Sequence, residues 1–144
     1  MQFKKTAIVD ATTIPLGTLN RWDERKVIRV RGADQKATGK GRARKFSLAR
    51  VYEIAIGHAL TKLSVSATAA MEFAAKFNDP QHGRPIGSLF PIGETVLLIN
   101  QDGTAAIHNV PPDGDVASLL QTEASIVVNL GAILARVNAR LQIR

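Results

Sequence analysis

The chain has 144 residues, no Cys, and 19 Lys and Arg against 12 Asp and Glu, so its formal net charge is +7. The lack of Cys excludes disulfides, thiolate nucleophiles and thiolate zinc sites, and no apolar run approaches the roughly 20 residues that a membrane span needs. The first residues also lack the apolar stretch of a signal peptide. We therefore expect a cytoplasmic protein of one domain, or of two small ones, with an acidic partner.

The positive charge is concentrated in the N-terminal part of the chain. Residues 1–62 hold 14 of the 19 bases and five of the 12 acids, a formal charge of +9, whereas residues 63–144 carry −2. This asymmetry predicts a module that binds a polyanion, joined to a second part with another role. A generally basic, solvated surface is the alternative interpretation, because Lys and Arg are common on such surfaces.

Two short helices are predicted at the start of the chain, over residues 6–11 and 15–25. Pro15 suits the first position of the second helix because its missing N–H has no partner there in any case. Leu19 and Trp22 mark the inward face of that helix. Two such helices joined by a tight turn form a helix-turn-helix. The residues expected to face outward are Thr18, Asn20 and Arg21.

A basic β-hairpin is predicted next. Residues 27–31 alternate apolar and basic side chains as a strand does, residues 32–41 are rich in turn formers, and residues 42–46 return as a second strand. The hairpin over residues 27–46 would form a wing beside the two helices. Clustered bases suit phosphate groups, because each Lys or Arg contact releases counterions from DNA. The bases of this wing are Arg29, Arg31, Lys36, Lys40, Arg42, Arg44 and Lys45.

Two further helices follow the hairpin. Ser47 is a predicted N-cap for a helix that runs to about residue 62, and Ser66 begins another helix with an Ala- and Phe-rich stripe. The polar stretch over residues 78–85 ends this second helix. It is the predicted boundary between two domains, residues 1–79 and 80–144.

Beyond this boundary the pattern changes to short strands. Residues 94–99 and 104–110 flank an Asp-Gly turn and predict a β-hairpin. A short helical stretch around residues 116–121, a strand over 125–129 and a closing helix over 130–141 follow. The fold expected is α+β: an N-terminal winged helix-turn-helix, mostly helical with a hairpin wing, and a small C-terminal α+β module.

The closing helix carries apolar residues at spacings of four, three and four. Such a seam is compatible with pairing between helices of two copies, and a homodimer would place two helix-turn-helix units on one duplex. The alternative is that the seam covers the small sheet of its own chain, and the two interpretations are equally weighted. The seam consists of Leu130, Ile133, Leu134, Val137 and Leu141.

Residues 14–23 (IPLGTLNRWD), the basic hairpin that ends in RKFS at residues 44–47, and the helix that contains Val51 and Tyr52 form a recognisable order. Over about residues 3–77 they resemble the winged helix-turn-helix of MerR-type transcription regulators and related phage excisionases. The resemblance implies a bacterial or phage transcription regulator whose second helix enters the major groove of double-stranded DNA. It also implies groove contacts by Thr18, Asn20 and Arg21, and backbone contacts by Arg44 and Lys45.

The chain departs from this family at two points. Thr13 stands where the turn usually has Gly, and β-branched residues resist positive φ. Residues 86–144 lack the long coiled-coil helix and the Cys-rich metal loop of metal-sensing members, so the resemblance does not imply metal sensing.

The residue types of the second helix suit base recognition. Arg21 can address guanine through two hydrogen bonds, and Asn20 can address adenine in the same way. We therefore predict sequence-specific binding of double-stranded DNA in the nucleoid. One alternative is an excisionase-like or architectural factor that bends DNA. Another, from a different class, is an interaction adaptor whose basic face meets an acidic protein.

Nothing in the sequence favours an enzyme. The three His residues, at positions 58, 82 and 108, lie far apart, and no P-loop, H-E-x-x-H or G-x-S-x-G motif is present. We expect no catalytic residues, no metal and no cofactor.

Overall fold

A computed structural model of the protein describes residues 1–29, 34 and 44–143. These residues form an α+β fold, as predicted, with five α-helices and two small antiparallel sheets. None of these helices is long and apolar enough to cross a membrane. The helices are α1 (Lys5–Thr12), α2 (Leu16–Glu24), α3 (Leu48–Thr61), α4 (Ala67–Ala75) and α5 (Leu130–Leu141). The strands are β1 (Gln2–Lys4), β2 (Lys45–Ser47), β3 (Glu94–Asn100), β4 (Ala105–Val110) and β5 (Ser125–Asn129).

Helix α3 runs through the middle of the molecule. The side chain of its N-cap, Ser47, accepts a hydrogen bond from the backbone N–H of Arg50. Every residue from Arg50 to Gly57 is buried, so the helix is covered on all sides and not along a single stripe. Helix α4, capped by Ser66, packs so closely that a Cβ on Gly57 would lie 2.4 Å from the sulfur of Met71. Both predicted serine caps are confirmed.

The C-terminal sheet has the strand order β4-β3-β5, and both pairings are antiparallel. The predicted Asp-Gly turn joins β3 to β4, with Gly103 at a φ of +87° and the Asn100 N–H donating to the Thr104 carbonyl at 2.8 Å. The third strand and the closing helix have the predicted bounds. The short helical stretch expected before β5 is a single 3-10 turn, Ala117–Leu119.

Helix α5 buries its apolar seam within its own chain. It packs against α1, α3 and β3, and the Tyr52 hydroxyl donates to the Asn138 amide oxygen at 2.6 Å. The seam therefore packs against elements of its own chain, which is the alternative to pairing between two copies. Its buried side chains are not free to pair with another copy. Four seam residues are buried and the fifth is half-buried: Leu130, Ile133, Leu134, Val137 and, half-buried, Leu141.

One hydrophobic core runs through both predicted domains. It contains Leu19 and Trp22 of α2 together with Leu97 and Ile107 of the C-terminal sheet. The burial of Trp22 agrees with the packing role expected for it. The boundary between residues 79 and 80 stays a prediction, but the residues on its two sides share this core.

A buried arginine fixes the loop that leads into the sheet. Arg84 is 4% exposed and donates to the carbonyls of Phe77 at 2.8 Å and Ser88 at 2.9 Å. Its Nε donates to Gln81, whose own side chain donates to the Ile107 carbonyl on β4 at 2.7 Å. Through these contacts the loop is tied both to the end of α4 and to the edge of the sheet.

A second buried arginine joins three distant segments. Arg50 is 1% exposed; its Nε lies 3.3 Å from a carboxylate oxygen of Asp34, and its Nη1 is bonded to Glu53. Asp34 also accepts from the N–H and the hydroxyl of Ser47, each at 2.9 Å. Glu53 accepts from the Asn78 amide at 2.6 Å. Residue 34, the start of α3 and the end of α4 are thus held together in the interior.

The strand pairing around residue 45 differs from the prediction. Strand β2 pairs with β1 at the N-terminus, while residues 27–29, expected to begin a partner strand, form no strand. The physical reason is the register, which sets Phe3 opposite Phe46, and Phe46 is completely buried. The remainder of the predicted wing, residues 30–33 and 35–43, lies outside the described residues.

Substitution of Arg50 tests the buried network. We expect Arg50→Met to lower the free energy of unfolding by about 3–5 kcal/mol, because it removes a buried cation that is paired with the carboxylates of Asp34 and Glu53. Urea denaturation at neutral pH, followed by circular dichroism, measures the change. Lys62→Met, at the exposed end of the same helix, should change stability by less than about 0.5 kcal/mol. Equal losses in the two variants would contradict the assigned role of Arg50.

Candidate nucleic-acid interface

The α1–α2 pair is joined by a turn of three residues, Thr13 to Pro15. Thr13 adopts the left-handed conformation, with φ 66° and ψ 8°, although it is β-branched. Its N–H donates to the Val9 carbonyl at 2.9 Å, and the following Ile14 is completely buried. The core contact of Ile14 and the helix-ending hydrogen bond hold the turn in a conformation that Thr disfavours by itself. Pro15 is the N-cap of α2 and not its first residue.

The outward face of α2 carries Arg21 and Arg25, both exposed, with half-buried Thr18 beside them. Arg21 Nη2 donates to the Thr18 hydroxyl at 3.1 Å. Gly17 lies one turn before Arg21, and a Cβ there would come within 3.9 Å of its guanidinium. The helix therefore presents a polar face on which Arg21 is the central long side chain.

Asn20 belongs to a different face of α2. It is half-buried, and its side-chain oxygen accepts a hydrogen bond from Lys5 Nζ at 3.0 Å. Lys5 also lies 2.9 Å from the Asp23 carboxylate. Asn20 is thus engaged in holding α2 against the start of α1, which differs from the outward orientation expected from the sequence.

Arg44 is turned inward. Its guanidinium is paired with Asp23 and lies 4.5 Å from the centre of the Phe46 ring, and its side chain is 11% exposed. Burial lowers the pKa of Arg44; burial, followed by the nearby charge of Arg44, lowers that of Lys5. Arg44 thus connects the start of β2 to α2, which differs from the exposed position expected for it, and its contact with the DNA backbone stays a prediction.

Strands β1 and β2 place two lysines side by side. Lys4 and Lys45 are direct cross-strand partners, Lys4 exposed and Lys45 half-buried. Like charges in this position repel each other and destabilise the strand pair. A bound anion between them would relieve that repulsion. Lys45 is a predicted contact, whereas Lys4 was not predicted.

Arg29 is exposed, as a phosphate contact requires. Residues 34 and 44, which bracket a basic stretch of the sequence, are fixed by ion pairs: Asp34 by a buried pair to α3, and Arg44 by a half-buried pair to α2. Four predicted wing contacts lie outside the described residues, so their role stays a prediction. They are Arg31, Lys36, Lys40 and Arg42.

Sequence reasoning missed Lys4 and Arg25. The alternation of polar Gln2, apolar Phe3 and polar Lys4 is a weak strand signal, because three residues do not establish a period. Arg25 lies four residues after Arg21, and this helical spacing alone places it on the same face.

The described part of the chain contains no group of three His, Asp or Glu side chains that could hold a metal ion. His58 is half-buried between Lys62 and Arg136, and burial, aided by these two charges, lowers its pKa. This environment favours a neutral imidazole that packs between α3 and α5. Comparison of the chain with protein-family models and with curated proteins gives no match.

Substitution of Asp23 tests the ionic contacts behind α2. We expect Asp23→Ala to lower the free energy of unfolding by about 1–3 kcal/mol, since Lys5 and Arg44 then lose their shared carboxylate. Glu24→Ala, the exposed neighbour on the same helix, should change it by less than about 0.5 kcal/mol. Thermal and urea unfolding of both variants give the comparison, and a larger loss in Glu24→Ala would show that the ionic contacts have been misassigned.

Proposed function

We propose that this chain is a MerR-like transcription regulator that binds double-stranded DNA sequence-specifically, with α1 and α2 as its helix-turn-helix. The observations that carry the proposal are the exposed polar face of α2, centred on Arg21, and the cross-strand pair of Lys4 and Lys45. Helix α2 has nine residues, a length of about 13 Å, and the major groove is about 12 Å wide. The remaining bases of the predicted wing would extend this surface along the backbone.

Arg21 is the residue assigned to base recognition. Its hydrogen bond to Thr18 is exposed, and such a bond contributes only about 1 kcal/mol net in water. Exchange of this bond for two hydrogen bonds to guanine is therefore inexpensive. Thr18 is then released to contact a neighbouring base or phosphate. Asn20, already bonded to Lys5, is the weakest of the three predicted groove contacts.

Lys4 and Lys45 are assigned to a phosphate of the DNA backbone. The strand pair holds their side chains on one face, so one phosphate between them could contact both ammonium groups and reduce their mutual repulsion. Arg25, the C-cap of α2, and Arg29, four residues further on, add exposed positive charge after the C-terminal end of α2. These contacts read no base and should act on all sequences alike.

Two other functions give different experimental outcomes. An architectural or excisionase-like factor would protect a spreading or directly repeated DNA footprint, whereas a homodimeric regulator would protect a compact palindrome. A protein-interaction adaptor would not bind duplex DNA measurably even at low salt.

A salt titration tests the proposal directly. Binding of a mixed-sequence duplex, measured by fluorescence anisotropy, should weaken steeply as salt is raised, because each phosphate contact releases counterions. Absence of duplex binding at low salt would falsify DNA recognition as the function.

Paired substitutions separate the two kinds of contact. Arg21→Ala should reduce discrimination between the preferred site and its single-base variants by about 1–3 kcal/mol. Lys45→Ala should weaken all duplexes about equally and reduce the salt slope by about one.

Lys62→Ala is the matched control for this pair. It removes an exposed base at the far end of α3, about 20 Å from the N-cap of that helix. It should leave both affinity and discrimination unchanged. Equal, sequence-independent losses in Arg21→Ala and Lys45→Ala would contradict the division of roles.

A further inference from the structure

The two edge strands of the C-terminal sheet, β4 and β5, differ in their hydrogen bonds to the rest of the chain. On β4, the Ile107 carbonyl accepts a hydrogen bond from the Gln81 side chain, and two prolines follow the strand. On β5, the backbone of residues 125–128 makes no hydrogen bond to any described residue outside β3. Proteins usually protect such an edge with charge, Pro or a covering segment. Strand β5, with the sequence SIVVN, has no charge and no Pro, and Val127 is 39% exposed.

The sequence of β5 is complementary to itself. An antiparallel pairing centred on Val127 sets this residue opposite its own copy, Ile126 opposite Val128, and Ser125 opposite Asn129. Apolar side chains then meet apolar ones, polar meet polar, and no like charges are opposed. We propose that β5 pairs with β5 of a second copy across a two-fold axis at Val127, which joins two three-stranded sheets into one of six strands.

This interface uses neither α2 nor its bases, so it stands apart from the proposed DNA binding. Because the α5 seam is buried, we assign the homodimer contact to β5 and not to the seam. A five-residue edge strand buries little surface beside the roughly 800 Å² per partner of a standard interface. The expected dimer is accordingly concentration-dependent.

A single introduced thiol gives the sharpest test, because the chain has no Cys. Across the proposed axis the two β carbons of residue 127 would lie about 4.5–5.5 Å apart, roughly 1 Å beyond the average of about 3.8 Å in a disulfide, so a small backbone shift suffices to form the bond. Val127→Cys should therefore become a covalent dimer under mild oxidation, seen on a non-reducing gel. Ala106→Cys is the matched control, since Ala106 is the neighbour of Leu98 on β4 as Val127 is on β5, and both are exposed.

Sedimentation of the full chain without DNA gives the second measurement. Wild type should dimerise, Val127→Lys should raise the dimer Kd by about tenfold or more, and Ala106→Lys should leave it unchanged. Melting temperatures establish that each variant is folded. A wild type that stays monomeric at every concentration, equal behaviour of the two lysine variants, or equal cross-linking of the two cysteine variants would overturn the proposal. If Val127→Lys does not fold, the cross-linking result decides.

Discussion

The pairing of Arg50 with Asp34 and Glu53 is the constraint on which the N-terminal half depends. Removing three charged groups from water costs several kcal/mol for each ion, so the cluster is stable only when its remaining hydrogen-bonding capacity is used. Ser47 donates two hydrogen bonds to Asp34, and the Asn78 amide donates one to Glu53. The partners come from three segments of the sequence. Satisfying the cluster therefore fixes residue 34, the start of α3 and the 3-10 turn, Lys76–Asn78, that follows α4.

Ion pairing leaves the net charge of the N-terminal part unchanged, because equal numbers of bases and acids are paired. Arg50, Lys5 and Arg44 are paired with Asp34, Glu53 and Asp23, which is three bases against three acids. Residues 1–62 carry +9 in all. The ion pairs of the described residues take up three of the five acids in this part of the chain, Asp23, Asp34 and Glu53.

Local signals in the sequence predicted the elements whose cause is local. Ser47 and Ser66 cap helices because a side-chain oxygen reaches an N–H three residues on, and the Asp-Gly pair makes its turn through the positive φ of Gly103. The pairing of β1 with β2 could not be found in this way. It depends on Phe3 meeting Phe46 across 43 positions of sequence, and no local pattern encodes that contact.

The candidate site shows the same limit at the level of single side chains. Arg21, Arg44 and Arg50 look alike in a charge count, yet only Arg21 is exposed; Arg44 is inward and Arg50 fully buried. The three arginines differ in whether a carboxylate from another segment of the chain lies beside the guanidinium. Asp23 and Asp34 do so at Arg44 and Arg50, and these are tertiary contacts that helical spacing does not predict. A substitution at Arg44 or Arg50 accordingly acts on folding first, and its effect on DNA binding would be indirect.

The continuity of the core has a consequence for the geometry of the proposed complex. Helix α2 and the C-terminal sheet share one set of buried side chains, and α5 packs on α1, α3 and β3 together, so no free linker separates the basic surface from β5. A two-fold axis at Val127 would then hold the two α2 helices at one fixed separation. Successive major-groove faces of DNA on one side recur every 10–10.5 base pairs. A dimer built in this way would tolerate little variation in half-site spacing, in contrast to one whose DNA-binding units are joined by flexible chain.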